Sequence, residues 1–162
     1  MRVGFKEFSS LRPFGIEVEV SASSTKEELR DTLSYYELFR NKKPRQVKMT
    51  AGKKGWAETN NNNYWHIKYD STCGSLESGH NFGWEVASYI GSGLSDLTSM
   101  SDALHFLGEC GVKVNRNCGL HVHVQVADFN PSLMGLLLAR WLKIESLLFH
   151  SCPYHRRKNS HC

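Results

Sequence analysis

Three short segments of this chain alternate apolar and polar residues at every second position, and most of the polar positions are ionisable. A strand turns successive side chains to opposite faces, so each segment can bury one side only and must present the other to water or to a ligand. In residues 14–20, Phe14, Ile16, Val18 and Val20 take one face and Gly15, Glu17 and Glu19 the other. In residues 64–70, Trp65, Ile67 and Tyr69 oppose His66, Lys68 and Asp70. In residues 118–126, Leu120, Val122, Val124 and Val126 oppose His121, His123 and Gln125. A fourth strand is expected over 82–90, carrying Glu85.

Helical periodicity fills the intervals. Ser24 or Thr25 is expected to cap a helix running to about residue 41, with Glu27 and Glu28 in the first turn, where the helix dipole favours carboxylates. Leu97, Met100, Ala103, Leu104 and Leu107 form one stripe over 95–110, stopped by Gly111. Pro131 opens a last helix to about residue 150, with Leu133, Leu137, Trp141, Ile144 and Leu148 in register. Residues 42–63 are a polar excursion with basic residues, glycines and four consecutive asparagines, and a short strand is expected near 46–50. The order β-α-β-β-α-β-α predicts an α+β fold: an antiparallel or mixed sheet, helices on one face and a polar site on the other.

The chain has 162 residues, the length of one domain, and can bury roughly 70% of its unfolded surface without staples. Its 40% hydrophobic and 22% charged residues exclude disordered, collagenous and coiled-coil classes. The net charge of +4 comes partly from the cluster His155-Arg156-Arg157-Lys158, and no basic stripe interleaved with aromatics marks a nucleic-acid binder. The basic residues of 40–58 (Arg40, Lys42, Lys43, Arg45, Lys48, Lys53, Lys54) read first as a solvated surface, with phosphate contact as the functional option. Five cysteines at irregular spacing, with no CxxC, point to reduced thiols. The opening MRVGFKEFSS has no apolar core of a signal peptide, and Arg140, Lys143 and Glu145 interrupt the most apolar stretch, so a cytoplasmic protein with no membrane partner is expected.

The polar faces concentrate the chemistry. Glu17 and Glu19 leave one strand face at i and i+2, roughly 6.5–7 Å apart. Glutamate is not a favoured strand residue, and adjacent like charges repel unless a cation lies between them. Converging carboxylate oxygens suit Mg²⁺ or Mn²⁺. His121 and His123 repeat the spacing behind Gly119, and Glu85 adds a third carboxylate. A solvated face is the plain reading of any one of these residues. The combination describes a sheet surface able to hold metal and phosphate.

Four blocks then occur in order: Phe14-Gly15-Ile16-Glu17-Val18-Glu19, Trp65-His66-Ile67-Lys68-Tyr69-Asp70-Ser71, Gly83-Trp84-Glu85-Val86-Ala87-Ser88, and Asn117-Cys118-Gly119-Leu120-His121-Val122-His123-Val124. Together they resemble the amidoligase family of bacteria and phages, which is similar to the glutamine synthetase and glutamate–cysteine ligase superfamily. The resemblance spans residues 14–162, including the closing Arg156-Arg157-Lys158-Asn159-Ser160-His161-Cys162, where His161 stands in place of a common tyrosine. It implies a glutamine synthetase-like sheet and an ATP- and Mg²⁺- (or Mn²⁺-) dependent ligase joining a small-molecule or peptide carboxylate to an amine through an acyl phosphate. By the same resemblance Glu17, Glu19, Glu85 and His121 are metal ligands and catalytic residues. His123 orients a neighbour or contacts phosphate, Asp70 and Ser71 line the nucleotide or amine side, and Lys68 and Arg156 bind phosphate or carboxylate.

The chain departs from the family in two places. Tyr89 stands where a proline is usual after Ser88, and the sequence stops at Cys162 before the family's second half, with its Glu…Arg strand motif. Three expectations follow: a fragment or truncated version of a single 1–162 domain, a chain completed by a partner or a second copy, or a degenerate ligase-like domain kept as a binding or assembly module. A cupin-like single-metal protein is a lesser option. Its pattern wants a glycine six residues before the first histidine and a glutamate after the second, where Asn115 and at best Asp128 stand here.

Overall fold

A computed structural model of the chain describes residues 12–41, 44–49, 63–74, 82–154 and 157. These form an α+β arrangement in two compact units, one ending at Gln125 and the other beginning at Val126. In the first unit the elements are β1 (Phe14–Ala22), α1 (Lys26–Phe39), β2 (Gln46–Met49), β3 (Tyr64–Tyr69), β4 (Phe82–Ala87), α2 (Gly93–Glu109) and β5 (Leu120–Val124). The expected short strand is therefore present as β2, while residues 50–62 of the polar excursion lie outside the described residues.

The five strands form one open sheet in the order β2-β3-β4-β1-β5. β2 and β3 run parallel and the other neighbours antiparallel, which resolves the expectation of an antiparallel or mixed sheet to a mixed one. The strand expected over 82–90 ends at Ala87; the Ser88 N–H still donates to the Ile16 carbonyl at 2.7 Å, but the return bond goes to the Ser88 side chain instead of its carbonyl. The Ser88 hydroxyl accepts from the Ile16 N–H at 2.9 Å and donates to the Tyr89 carbonyl at 2.8 Å.

One face of this sheet is sealed. Thr25 caps α1 in a capping box: its hydroxyl accepts from the Glu28 N–H at 3.3 Å, and the Glu28 carboxylate accepts from the Thr25 N–H at 2.8 Å. Leu29 and Leu33 of α1, with Met100, Ala103 and Leu107 of α2, are buried against Ile16, Val20, Trp65, Ile67 and Val86. Full burial of each large apolar side chain contributes about 1.5–3 kcal/mol. Strand alternation then sends Glu17, Glu19, Lys68 and Glu85 to the opposite face. The apolar residues of the last strand behave differently, since Leu120, Val122 and Val124 are exposed.

The second unit carries α3 (Pro131–Ser151). The Asn130 side chain accepts from the Leu133 N–H at 2.9 Å, and Pro131 takes the first helical position. Arg157 closes the other end, donating to the carbonyls of His150 at 2.7 Å and Cys152 at 3.0 Å. No residue of α3 is buried, so the stripe from Leu133 to Leu148 is formed but exposed. Among the described residues, no helix is long and apolar enough to cross a membrane.

Candidate active site

The polar face of the sheet gathers the ionisable residues into two adjoining clusters. In the first, the Lys68 ammonium ion-pairs with Glu85 Oε1 and lies 3.5 Å from Glu17 Oε1. Glu17 Oε2 is 3.0 Å from His123 Nε2. In the second, Glu19 Oε2 accepts from the Gly119 N–H at 2.6 Å, and Glu19 Oε1 is 3.5 Å from His121 Nε2. Pairing of β1 with both β4 and β5 makes this possible. Glu19 stands opposite Glu85 on one side, and Glu17 opposite His121 on the other.

Two glycines make room for these approaches. A Cβ at Gly119 would lie 2.9 Å from His121 Nε2 and 3.0 Å from Glu19 Oε2. A Cβ at Gly83, on the polar face of β4, would lie 2.0 Å from the Asp70 carbonyl oxygen and 2.6 Å from the Gly74 nitrogen. The bare backbone of Gly83 thus lets the turn after β3 fold over the sheet, fixed by the Asp70 N–H donating to the Gly83 carbonyl at 2.9 Å. That turn delivers Cys73, which is buried and sits 3.6 Å from Glu19 Oε2 and 3.7 Å from the Asn117 carbonyl.

The carboxylates are shielded and the imidazoles are not. Glu17 is 13% exposed and Glu19 and Glu85 are 21%, against 53% for His121 and 57% for His123. Burial, first, and then the hydrogen bond and charge of Glu17 push the Glu85 carboxyl up to about 7, against the pull of Lys68. In the metal-free protein the folded state thus holds a proton that an unfolded glutamate releases near 4.5. The stability linked to this proton is complete below about pH 4.5 and is lost as pH rises through about 7. Urea midpoints measured across that window with chelator present should fall with pH, and Glu85→Gln should flatten the fall. Equal slopes in both proteins would show that Glu85 is not the group responsible.

The donor set suits a hard divalent ion. Glu19, Asp70 and Cys73 each offer an atom within 4.8 Å of the others. Burial raises the Cys73 thiol well above its usual value, so it stays protonated and acts as a hydrogen-bond donor beside oxygen ligands. Asp70 also fixes its own turn, accepting from the Thr72 N–H at 2.8 Å and from the Thr72 hydroxyl at 2.7 Å. Glu17 and Glu85 crowd around one ammonium, which is a placement that a second cation would relieve.

The structure brings together Glu17, Glu19, Glu85, Lys68, Asp70, His121 and His123 on this face. Lys68 is engaged by carboxylates of the protein itself, and His123 by Glu17. Ser71 is exposed in the turn, and Arg156 lies outside the described residues. Sequence reasoning missed Cys73 and the Gly119 N–H. The only signal for Cys73 is Gly83, a glycine inside a strand, which marks a close backbone approach.

No curated protein matches the chain, and no solved structure does. A family model described as "putative amidoligase enzyme" matches residues 11–162. With nearly the whole chain covered, and with the acidic and imidazole residues of its motifs meeting on one sheet face, this protein belongs to the amidoligase family.

Proposed function

We propose that this chain is an ATP- and Mg²⁺-dependent carboxylate–amine ligase with a glutamine synthetase-like sheet. The observation that supports this reading best is the convergence of three carboxylates and two imidazoles from three neighbouring strands on the polar face of the sheet. Glu17, Glu19 and Glu85, with His121, would hold the divalent ion; among the described residues the donor atoms already within 4.8 Å of one another are those of Glu19, Asp70 and Cys73. When bound, Mg²⁺ or Mn²⁺ offsets the negative charge of the nucleotide phosphates. The carboxylate substrate, a small molecule or a peptide, attacks the γ-phosphorus of ATP, so that an acyl phosphate forms and ADP leaves. An amine then attacks the acyl carbon, expelling phosphate and releasing a proton.

The chain's own residues hold and screen these partners. Lys68 supplies the charge that keeps Glu17 and Glu85 together, and with an ion bound to these acids it would be available to the transferred phosphate. His123 orients Glu17 through its 3.0 Å contact. The turn at Asp70 and Ser71 borders the nucleotide or amine side.

Calorimetric titration of ATP with Mg²⁺ tests the reading. The wild-type chain should bind ATP only when the metal is present. Glu17→Ala and His121→Ala should each weaken that binding at least tenfold, or roughly 1.4 kcal/mol. A folded wild-type chain that takes up no Mg²⁺·ATP would refute a self-sufficient ligase and favour a ligase-like domain that serves for binding or assembly.

A further inference from the structure

Beyond Glu85 the polar face continues onto β3 and β2, and there the sign of its charge changes. The parallel pairing sets Lys48 beside His66, and alternation along β3 puts Tyr64, His66 and Lys68 on one side. The rings of Tyr64 and His66 lie 4.5 Å apart between centroids, and Lys48 Nζ stands 3.8 Å from the centroid of Tyr64. Ammonium, phenol ring and imidazole thus form one continuous stack. Tyr64 and His66 are buried, and Lys48 is exposed. Burial, then the charges of Lys68 and Lys48, lower the basicity of His66, which places the imidazole under the influence of two cations.

We propose that Lys48, Tyr64 and His66 form a binding step for an oxyanion, beside the carboxylate cluster. The Tyr64 face holds the Lys48 ammonium in place without neutralising it, since a ring quadrupole attracts a cation and leaves its net charge. His66 adds a ring nitrogen whose protonation an incoming anion favours. The neighbouring acids repel an anion and Lys68 is tied to two of them, whereas among the described residues no carboxylate pairs with Lys48, so its ammonium is the charge on this face that an anionic group meets first. The nucleotide polyphosphate and the carboxylate substrate both present oxygen anions of this kind. The role as a substrate subsite rests on the ligase reading, whereas the oxyanion binding itself does not.

The test follows the His66 ring resonances of the full chain by NMR, assigned by comparison with His66→Gln. Tripolyphosphate and glutarate are titrated separately, without divalent metal. Saturable shifts with tripolyphosphate, about tenfold weaker in Lys48→Ala, are the expected result and assign the step to the polyphosphate. The same behaviour with glutarate instead keeps the step and assigns it to the carboxylate. Shifts with neither anion, or shifts unchanged in Lys48→Ala, overturn it. Because Lys48 is exposed, Lys48→Ala should fold normally. Titrating Mg²⁺ with ADP while following His121 separates the two readings. Loss of that response with the His66 response intact removes the ligase reading alone, and the reverse removes only the oxyanion step.

Discussion

Replacing Glu37 by alanine should destabilise the fold by about 3–5 kcal/mol, more than any single cap or surface contact contributes. Glu37 is 1% exposed, near the end of α1. Its two oxygens accept from the Trp65 indole N–H at 2.7 Å, the Asn41 amide at 2.8 Å and the Arg45 backbone N–H at 2.8 Å. A buried carboxylate is tolerated only when it is bonded in this way. Alanine would leave three donors without that acceptor and open a hole beside Trp65. The same carboxylate joins α1 to β3 and to the residues leading into β2, so its loss should loosen the strand that carries Lys48. Urea unfolding followed by tryptophan fluorescence checks the effect. A melting temperature lower by roughly 10 °C is expected for a chain of this length. A midpoint equal to that of wild type would mean that water or a neighbour replaces the carboxylate without cost.

Gly83→Ala should unsettle both the fold and the site, although it adds a single methyl group. The new Cβ would meet backbone atoms of Asp70 and Gly74, and no flexible side-chain end is there to yield. Strand β4 and the turn after β3 would have to separate, at about 3 kcal/mol or more. Cys73 belongs to this turn and is fully buried, so the separation should expose its thiol. A thiol-reactive dye should label one more cysteine in Gly83→Ala than in wild type, and the difference should vanish in a Cys73→Ser background. An unchanged melting temperature with Cys73 still protected would contradict the close approach.

Alternation made the strands legible, because period-two patterning at Glu17, Glu19 and Lys68 encodes which side faces the core; at His121 and His123 it marks the strand, while the opposite residues Leu120, Val122 and Val124 are exposed. The helices were legible for similar reasons. Thr25 with Glu28 marks one start and Pro131 another, and Gly111, with φ of 93°, marks a stop that L side chains avoid. Pairing was not legible. Nothing local in Gln46–Met49 shows that it lies parallel to Tyr64–Tyr69, because that contact is decided by where α1 returns the chain. For the same reason the stack of Lys48, Tyr64 and His66 is invisible in one dimension. Cys73 was hidden because a turn residue has no periodicity, and its neighbours Glu19 and Asn117 are far away in sequence. Glu37 was not singled out, although its position held a signal. It falls on the buried stripe four residues after Leu33, where a carboxylate is an anomaly that calls for partners.

The placement of β5 gives the site a gradient of mobility. Strand β1 is held on both sides, by β4 and by β5, while β5, like β2, is a terminal strand of the described sheet. Amide protons of the strand carrying Glu17 and Glu19 belong to the slowest-opening part of this structure, and those around His121 and His123 to a faster one. The carboxylates then sit on a strand bonded along both edges and the imidazoles on one bonded along a single described edge, so hydrogen exchange should protect Glu17 and Glu19 longer than His121 and His123.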